Sequence, residues 1–303
     1  MPRIDKPRVL VYNIVVKLCS PQYITRKEKT MDQNKIAVLK ETARKIRVGI
    51  IDAVYSASSG HPGGSLSAAD ILTYLYFEEM NIDPANPKME GRDRFVLSKG
   101  HATPALYSTL ANRGYFEVEE LKTFRKQDGR LQGHPDMKYI PGVEMSTGSL
   151  GQGISAACGM ALGEKLSGSD ARVWALLGDG ETEEGQVWEA AMFAAHYKLD
   201  NLCAIVDLNG LQIDGPISEV MNPCPHDEKY KAFGWNVLYC DAHDFESIEA
   251  AVEAAKACKG QPSVIIANSV KGKGVSFMEN NVNWHGAAPN AEQYEIAMKD
   301  LGE

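Results

Sequence analysis

Two hydrophobic periods alternate along the chain. From Asn34 onward, Ile36, Leu39, Ala43, Ile46, Ile50 and Ala53 step mostly by three and four, the spacing of one apolar helix face. That pattern ends at Ser58-Ser59-Gly60, ahead of Pro62. Residues 67–79 read as a second helix, with Ser67 as its N-cap before Ala68-Ala69-Asp70. A short strand is expected at 94–97, and a helix at 104–113 with a proline near its first turn. A helix at 151–165 is built on small residues (Ala156, Ala157, Gly159, Ala161, Gly163) that permit close packing against a neighbour. Beyond residue 170 the alternation is regular: strand 172–177, the turn Gly178-Asp179-Gly180, helix 182–196, strand 202–208, strand 235–239, helix 245–256 and strand 263–268. Strands alternating with helices predict an α/β fold, a parallel sheet flanked by helices on both faces. No repeat, low-complexity tract or Pro/Ser-rich linker interrupts the pattern, so one domain is expected over 34–303.

Composition narrows the function classes. Among 303 residues, 32 Lys and Arg stand against 40 Asp and Glu, a net charge of -8, which argues against a nucleic-acid binder. No run of ~18 apolar residues is present, so no membrane span is expected. The six cysteines form no C-x-x-C pair, which points away from a disulfide scaffold or a cysteine zinc site and toward a reducing cytoplasm. The charge is uneven. Residues 1–30 carry seven basic and two acidic side chains, +5, leaving -13 for the remaining 273. Lys17 interrupts the apolar stretch in that segment and no small-residue cleavage site follows, so a signal peptide is a poor reading. Residues 1–33 read instead as a dispensable extension, or as the product of a start placed upstream of Met31.

The Gly178-Asp179-Gly180 turn follows an apolar strand and opens a helix, and such strand ends are where ligands bind in doubly wound sheets. A helix N-terminus attracts anions, yet Asp179, Glu181, Glu183 and Glu184 stand there. Acidic residues favour the first helical turn in any case, which accounts for the glutamates better than for Asp179. The next strand ends at Asp207-Leu208-Asn209-Gly210. In a βαβ unit both strand ends share one edge of the sheet, so Asp179 and Asn209 can approach. A carboxylate and an amide oxygen suit Mg²⁺ or Ca²⁺, with phosphate oxygens completing the shell. Asx residues at strand ends are also common turn formers, and the spacing leaves both readings open.

Four of the seven histidines adjoin glycine in loops: Gly60-His61, Gly100-His101, Gly133-His134 and His285-Gly286. An isolated loop histidine is usually solvated. Four of one kind suggest proton transfer or polar substrate contacts instead. No H-x-x-x-H or H-E-x-x-H spacing supports a zinc site. His196, His226 and His243 lack the glycine context and read as structural.

Taken in order, Gly60-His61-Pro62-Gly63-Gly64, residues 93–101 (DRFVLSKGH), Gly133-His134-Pro135, residues 146–153 (STGSLGQG), Gly178-Asp179-Gly180 with Glu184-Gly185, Asn209, Lys271-Gly272-Lys273-Gly274 and His285-Gly286 resemble the transketolase family of thiamine-diphosphate enzymes. The resemblance covers nearly everything after residue 34. It implies a thiamine-diphosphate-binding (PP-type) domain with a divalent ion, Mg²⁺ or alternatively Ca²⁺ or Mn²⁺, held by Asp179, Asn209 and the carbonyl of Leu211. Gly180, Gly148-Ser149-Leu150 and His101 would contact the cofactor. Lys271 and His285 would lie near its diphosphate, with His285 also facing the reacting carbon. His61 and His134 would meet sugar hydroxyls and shuttle protons. Glu184 would join an acidic network near the cofactor and the dimer interface. Where some relatives have a serine three residues after the first histidine, this chain has Gly64, with Ser65 adjacent.

Family members are usually about twice this long, and the aminopyrimidine-binding domain, with its glutamate, has no counterpart here. The resemblance therefore implies the N-terminal subunit of a split transketolase, completed by a C-terminal subunit in a dimer of heterodimers acting on sugar phosphates. Alternatives are a 1-deoxyxylulose-phosphate synthase-like enzyme, a transketolase for an unusual sugar, an α-ketoacid dehydrogenase subunit, or a non-catalytic protein retaining the cofactor fold.

Overall fold

The computed structural model describes residues 31–303, so the predicted extension falls, but for its last three residues, outside the described part. Met31 is buried against the core, and Asp32 caps the first helix by accepting from the Asn34 N–H. The elements run α1 (Gln33–Ala57), α2 (Pro62–Leu66), α3 (Ala69–Tyr74), β1 (Arg94–Leu97), α4 (Thr103–Arg113), α5 (Gln152–Ser167), β2 (Val173–Gly178), α6 (Gly185–His196) and β3 (Leu202–Leu208). There follow a small hairpin, β4 (Leu211–Gln212) and β5 (Gly215–Pro216), then α7 (Ile217–Val220), α8 (His226–Ala232), β6 (Asn236–Asp241), α9 (Phe245–Ala257), β7 (Ser263–Asn268) and α10 (Ala291–Asp300).

Five strands form one sheet in the order β1-β2-β3-β7-β6, and every pairing is parallel. The central strands are apolar but for Asp207 in β3 and the terminal Ser263 and Asn268 of β7, as suits strands covered on both faces. Alternation then sorts their side chains into two layers. Phe95, Leu97, Trp174, Leu176 and Ile205 point to one face and pack with α1, α3, α4 and α9. Val96, Val173, Ala175, Leu177, Ala204 and Val206 point to the other and pack with α5 and α6. The expected α/β architecture is therefore the observed one.

Two expectations are corrected. The helix expected over 67–79 is divided: Pro62 starts an earlier turn, and the later piece begins only at Ala69. Ser67 lies in helical conformation between them and is not an N-cap; its hydroxyl reaches the buried Asp207 carboxylate at 2.6 Å. A long-range carboxylate has outcompeted the local cap. Likewise the helix expected from Thr182 starts at Gly185, after a 3₁₀ turn over Gly180–Glu183. That turn directs Glu181 inward, where a first-turn placement would leave it solvated.

Small residues serve two purposes. In α1, a Cβ at Gly49 would lie 2.3 Å from Ser108 Oγ and 2.8 Å from Leu121 Cδ1, so the glycine permits α4 to approach, and Ser108 bonds the Ile46 carbonyl at 2.8 Å. In α5, Gly153, Ala157 and Ala161 are buried, whereas a Cβ at Gly159 or Gly163 would meet nothing within 4 Å. The two classes should respond oppositely. Gly49→Ala is expected to destabilise the chain by about 1–3 kcal/mol through overpacking. Gly159→Ala should stabilise it by roughly 0.5–1 kcal/mol through helix propensity. Urea denaturation of both variants checks this, and a Gly49→Ala protein as stable as its parent would contradict the close α1–α4 contact.

Candidate active site at the carboxyl edge of the sheet

Parallel register brings the strand ends of the sheet to one edge. Gly178 of β2 lies opposite Asp207 of β3, and Leu208 lies opposite Asn268 of β7. Asp179 therefore follows one strand, Asn209 the next and Lys271 the third, while Lys99 and His101 follow β1.

The Asp179 carboxylate is buried and held by backbone: Oδ1 accepts from Gly180 N–H at 2.8 Å and Oδ2 from Gly210 N–H at 2.6 Å. Asn209 Oδ1 accepts from Leu211 N–H at 3.1 Å. The Leu211 carbonyl accepts from Lys271 Nζ at 2.9 Å, and the same ammonium lies 2.9 Å from His285 Nδ1. Since an ammonium only donates, His285 Nδ1 accepts and its ring proton resides on Nε2. Burial, and then the Asp207 charge, push the Asp179 carboxyl up to about 6. Burial pushes Lys271 down to about 8.

These donors fit a small hard cation. They comprise a carboxylate, an amide oxygen and a main-chain carbonyl, and that carbonyl already accepts from a cationic group. Among the described residues no three His, Cys, Asp or Glu side chains group to hold a metal. A site with one carboxylate leaves coordination for phosphate oxygens, which is how Mg²⁺ is commonly bound.

Three imidazoles stand beside this set. Ring centroids are 5.3 Å apart for His61 and His101, 5.5 Å for His61 and His285, and 5.1 Å for His101 and His285. Burial, then the Arg125 charge, lowers His61 to about 4. Burial, then Lys271, lowers His285 to about 3, and burial with Lys99 holds His101 well below its ordinary value. All three are neutral at neutral pH. His61 Nδ1 is buried without a hydrogen-bond partner. His134 lies outside the triangle on the rim, where a Cβ on Gly148 (φ +153°) would come within 2.9 Å of its ring. Ser149 is exposed beside Gly148 and Leu150 is half-buried. A Cβ on Gly180 would lie 2.7 Å from Gln212 Oε1. Glu184 is exposed at the start of α6. The Ser65 hydroxyl donates to the His61 carbonyl at 2.7 Å and is engaged within that turn.

Several residues that organise the site are not marked by any sequence motif. Glu181 accepts from Ser98 Oγ at 2.5 Å, Gly151 N–H at 2.9 Å and Gly178 N–H at 3.0 Å, joining three loops through one buried carboxylate. Asp207 accepts from Lys99, Ser67 and Ser269. Arg125 bonds Ser59 Oγ at 2.6 Å and packs against Gly133, beside His134. His226, expected to be structural, lies behind the metal-type turn: its Nε2 is 3.0 Å from Thr182 Oγ1, which donates to the Asp179 carbonyl at 2.6 Å. The one signal for Glu181 is an acid after Gly-Asp-Gly. The others have none, because their partners are remote in sequence.

With the geometry in place, comparison with known proteins is direct. Residues 38–303 match the family model described as transketolase, thiamine diphosphate binding domain. The 6-deoxy-6-sulfo-D-fructose transketolase subunit SqwG of Clostridium sp. (strain MSTE9) is 45% identical over 263 residues, covering 87% of this chain and 96% of that protein. One of the subunits of the apulose-4-phosphate transketolase of Phocaeicola vulgatus is 42% identical, covering 89% of this chain and 95% of its own length. The crystal structure of the transketolase from Campylobacter jejuni superposes with a TM-score of 0.84 at 36% identity, over 90% of this chain but 43% of that one. The chain belongs to the transketolase family of transferases and carries that family's thiamine-diphosphate-binding domain.

Proposed function

We propose that this chain is the diphosphate-binding subunit of a two-subunit cytoplasmic transketolase, completed by a C-terminal subunit that carries the pyrimidine-binding domain, with two copies of each. The reaction is transfer of a two-carbon ketol unit from a ketose or its phosphate to an aldose or its phosphate. One observation carries the reading: Asp179, Asn209, the Leu211 carbonyl and Lys271 converge at the ends of β2, β3 and β7 beside three neutral imidazoles. Relatives of matching length that are named as transketolase subunits support the division into two chains.

In this reading Asp179, Asn209 and the Leu211 carbonyl hold the cation, with Mg²⁺ favoured by the hard oxygen donors. Lys271, Gly180, His101 and the Gly148-Ser149-Leu150 segment hold the cofactor. Thiamine diphosphate supplies a nucleophilic carbon and an electron sink, so the protein's tasks are binding, orientation and proton movement. His61, half-buried beside the rings of His101 and His285, and His134 on the rim exchange protons with substrate hydroxyls. His285, its Nδ1 engaged by Lys271, offers an N–H on its other nitrogen toward the reacting side. Glu184, exposed at the start of α6, is assigned to contact between subunits. A second reading, a transketolase for a modified or branched sugar, is favoured by the names of the sulfofructose and apulose-phosphate relatives. A donor screen comparing those two sugars with an ordinary ketose phosphate separates the two.

Three outcomes are expected. The chain alone, given thiamine diphosphate and Mg²⁺, should show no turnover in a ketol-transfer assay and should gain it on adding the C-terminal subunit; robust unaided turnover would remove the two-subunit claim. Asp179→Ala should abolish Mg²⁺-dependent cofactor binding measured by calorimetry, and unchanged binding would take Asp179 out of the cation site. The third concerns pH. His61 and His226 are lowered to about 4 and His285 to about 3, below the ~6.5 of an unfolded histidine. The folded chain therefore binds fewer protons than the unfolded one between these limits. The contribution of these histidines is fully present above pH ~6.5 and is lost as the pH is lowered through that window, offset in part by Asp179, whose carboxyl is raised to about 6 and acts with the opposite sign. Urea midpoints from pH ~7.5 to ~4.5, with NMR of the histidine rings, test this. A His61 ring already protonated at pH ~6 would contradict its role as a neutral acceptor.

A further inference from the structure

Lys271 can serve a diphosphate only if its turn is held in place, and main chain supplies part of that: the Lys273 N–H donates to the Val270 carbonyl at 3.2 Å and the Asn280 N–H to the Lys271 carbonyl at 2.9 Å. Residues 269–274 contain Gly272 at φ +78° and Gly274 at φ +93°. Yet the backbone on each side of Lys271 is gripped from outside. On one side, the Val270 N–H donates to His243 Nε2 at 2.9 Å. On the other, Arg47 Nε donates to the Lys273 carbonyl at 3.1 Å, and the absence of a Cβ on Gly274 lets the Arg47 side chain lie close. The two grips are joined by Asp70, which is buried. Its carboxylate accepts both terminal nitrogens of Arg47, at 2.9 and 2.5 Å, and lies 2.7 Å from His243 Nδ1.

The hydrogen bonds dictate the histidine's tautomer. A backbone N–H can only donate, so Nε2 accepts, and the ring proton sits on Nδ1 facing Asp70. His243 thus converts a carboxylate into a directed acceptor for main chain, with no charge required on the ring. The Gly272 N–H completes the restraint by donating to the Gly63 carbonyl at 3.0 Å, in the turn that follows His61. The Gly63 position is tight enough that a Cβ would lie 3.1 Å from Lys271 Cγ. The side-chain hydrogen bonds of Arg47, Asp70 and His243 run to one another and to the turn, and stop short of Asp179, Asn209, Leu211 and His285.

We propose that Arg47, Asp70 and His243 form a clamp on both shoulders of Lys271 and are positioning residues for its ammonium at the cofactor's diphosphate. This rests on the reading of the site given above. The bland account, a buried ion pair that stabilises the fold, makes no distinction between the two nitrogens of His243; the clamp does.

His243→Gln retains an acceptor at the reach of Nε2 for Val270. His243→Asn retains a donor toward Asp70 but is too short to reach Val270. Both variants of the full chain and the parent, each assembled with the C-terminal subunit, are titrated with thiamine diphosphate and Mg²⁺ by calorimetry, and amide exchange at Val270 and the thermal midpoint are measured without cofactor. The expected result is a roughly 10–100-fold weaker Kd for His243→Asn, the size of effect typical of outer residues that orient a ligand-binding group, together with faster exchange at Val270. His243→Gln should bind close to the parent, short of the roughly 10-fold loss at which removal of an orienting contact begins. Parent-like Kd and exchange in His243→Asn would overturn the clamp. So would equal losses in the two variants that follow only their thermal midpoints, since that marks a purely structural role. A parent complex that binds no cofactor overturns the site assignment and the clamp together, whereas tight parent binding with an unaffected His243→Asn overturns the clamp alone.

Discussion

Asp207, fully buried at the carboxyl end of β3, takes hydrogen bonds from three segments that are far apart in sequence. Lys99 comes from the loop after β1, two residues before His101. Ser67 follows the turn that carries His61. Ser269 stands two residues before Lys271. Lys99 also donates to the Gly64 carbonyl at 2.8 Å, binding the His61 turn a second time. A buried carboxylate is costly unless paired and fully bonded, and apolar replacements can match such a pair in stability. What they cannot match is direction. A ring of donors around one carboxylate is satisfied in a single relative placement of its segments, and that placement brings the imidazoles and the lysine together.

The same carboxylate shapes the electrostatics. It raises Asp179 and supports the charge on Lys271 against the depression caused by burial. The Asp179 carboxylate and the Lys271 ammonium are both dry. Interactions with ions gain strength in such surroundings. Around them the histidines stay neutral, so each presents one donor and one acceptor.

How much of this is legible in the sequence depends on separation along the chain. The expected strands 94–97, 202–208 and 263–268 match the observed ones to the residue, because β-branched and apolar runs bounded by turn formers are local signals. His61, His101 and His285 stand out by their glycine neighbours, and they do meet. Ser67 misleads because capping is a local rule and its partner lies 140 residues away. Glu181 misleads for the same reason, its Ser98 partner being 83 residues distant. His243 carries no motif, yet it bonds Asp70 across 173 residues and Val270 across 27. α10, with its Asn290–Gln293 capping box, lies outside the predicted elements, although its cap residues are a local signal of the usual kind.

The two faces of the sheet differ in the size of what fills them. One layer is thick with Trp174, Tyr107, Phe95 and Leu176. The other is lined largely by alanine and valine: Ala157, Ala161, Ala175, Ala190, Ala191, Ala194 and Ala204. Small side chains leave little depth between helix and strand, so α5 and α6 must ride close to the backbone of β2 and β3. Where helix meets sheet, the two layers therefore differ in tolerance. Truncation opens voids beneath α1, α3 and α4, whereas enlargement wedges α5 and α6 away from the sheet. Glu181 ties the head of α5, through the Gly151 N–H, to the turn that leads into α6. A single added methylene under those helices would therefore be transmitted to the turn at Asp179, while an equal loss on the far side would be absorbed as empty space.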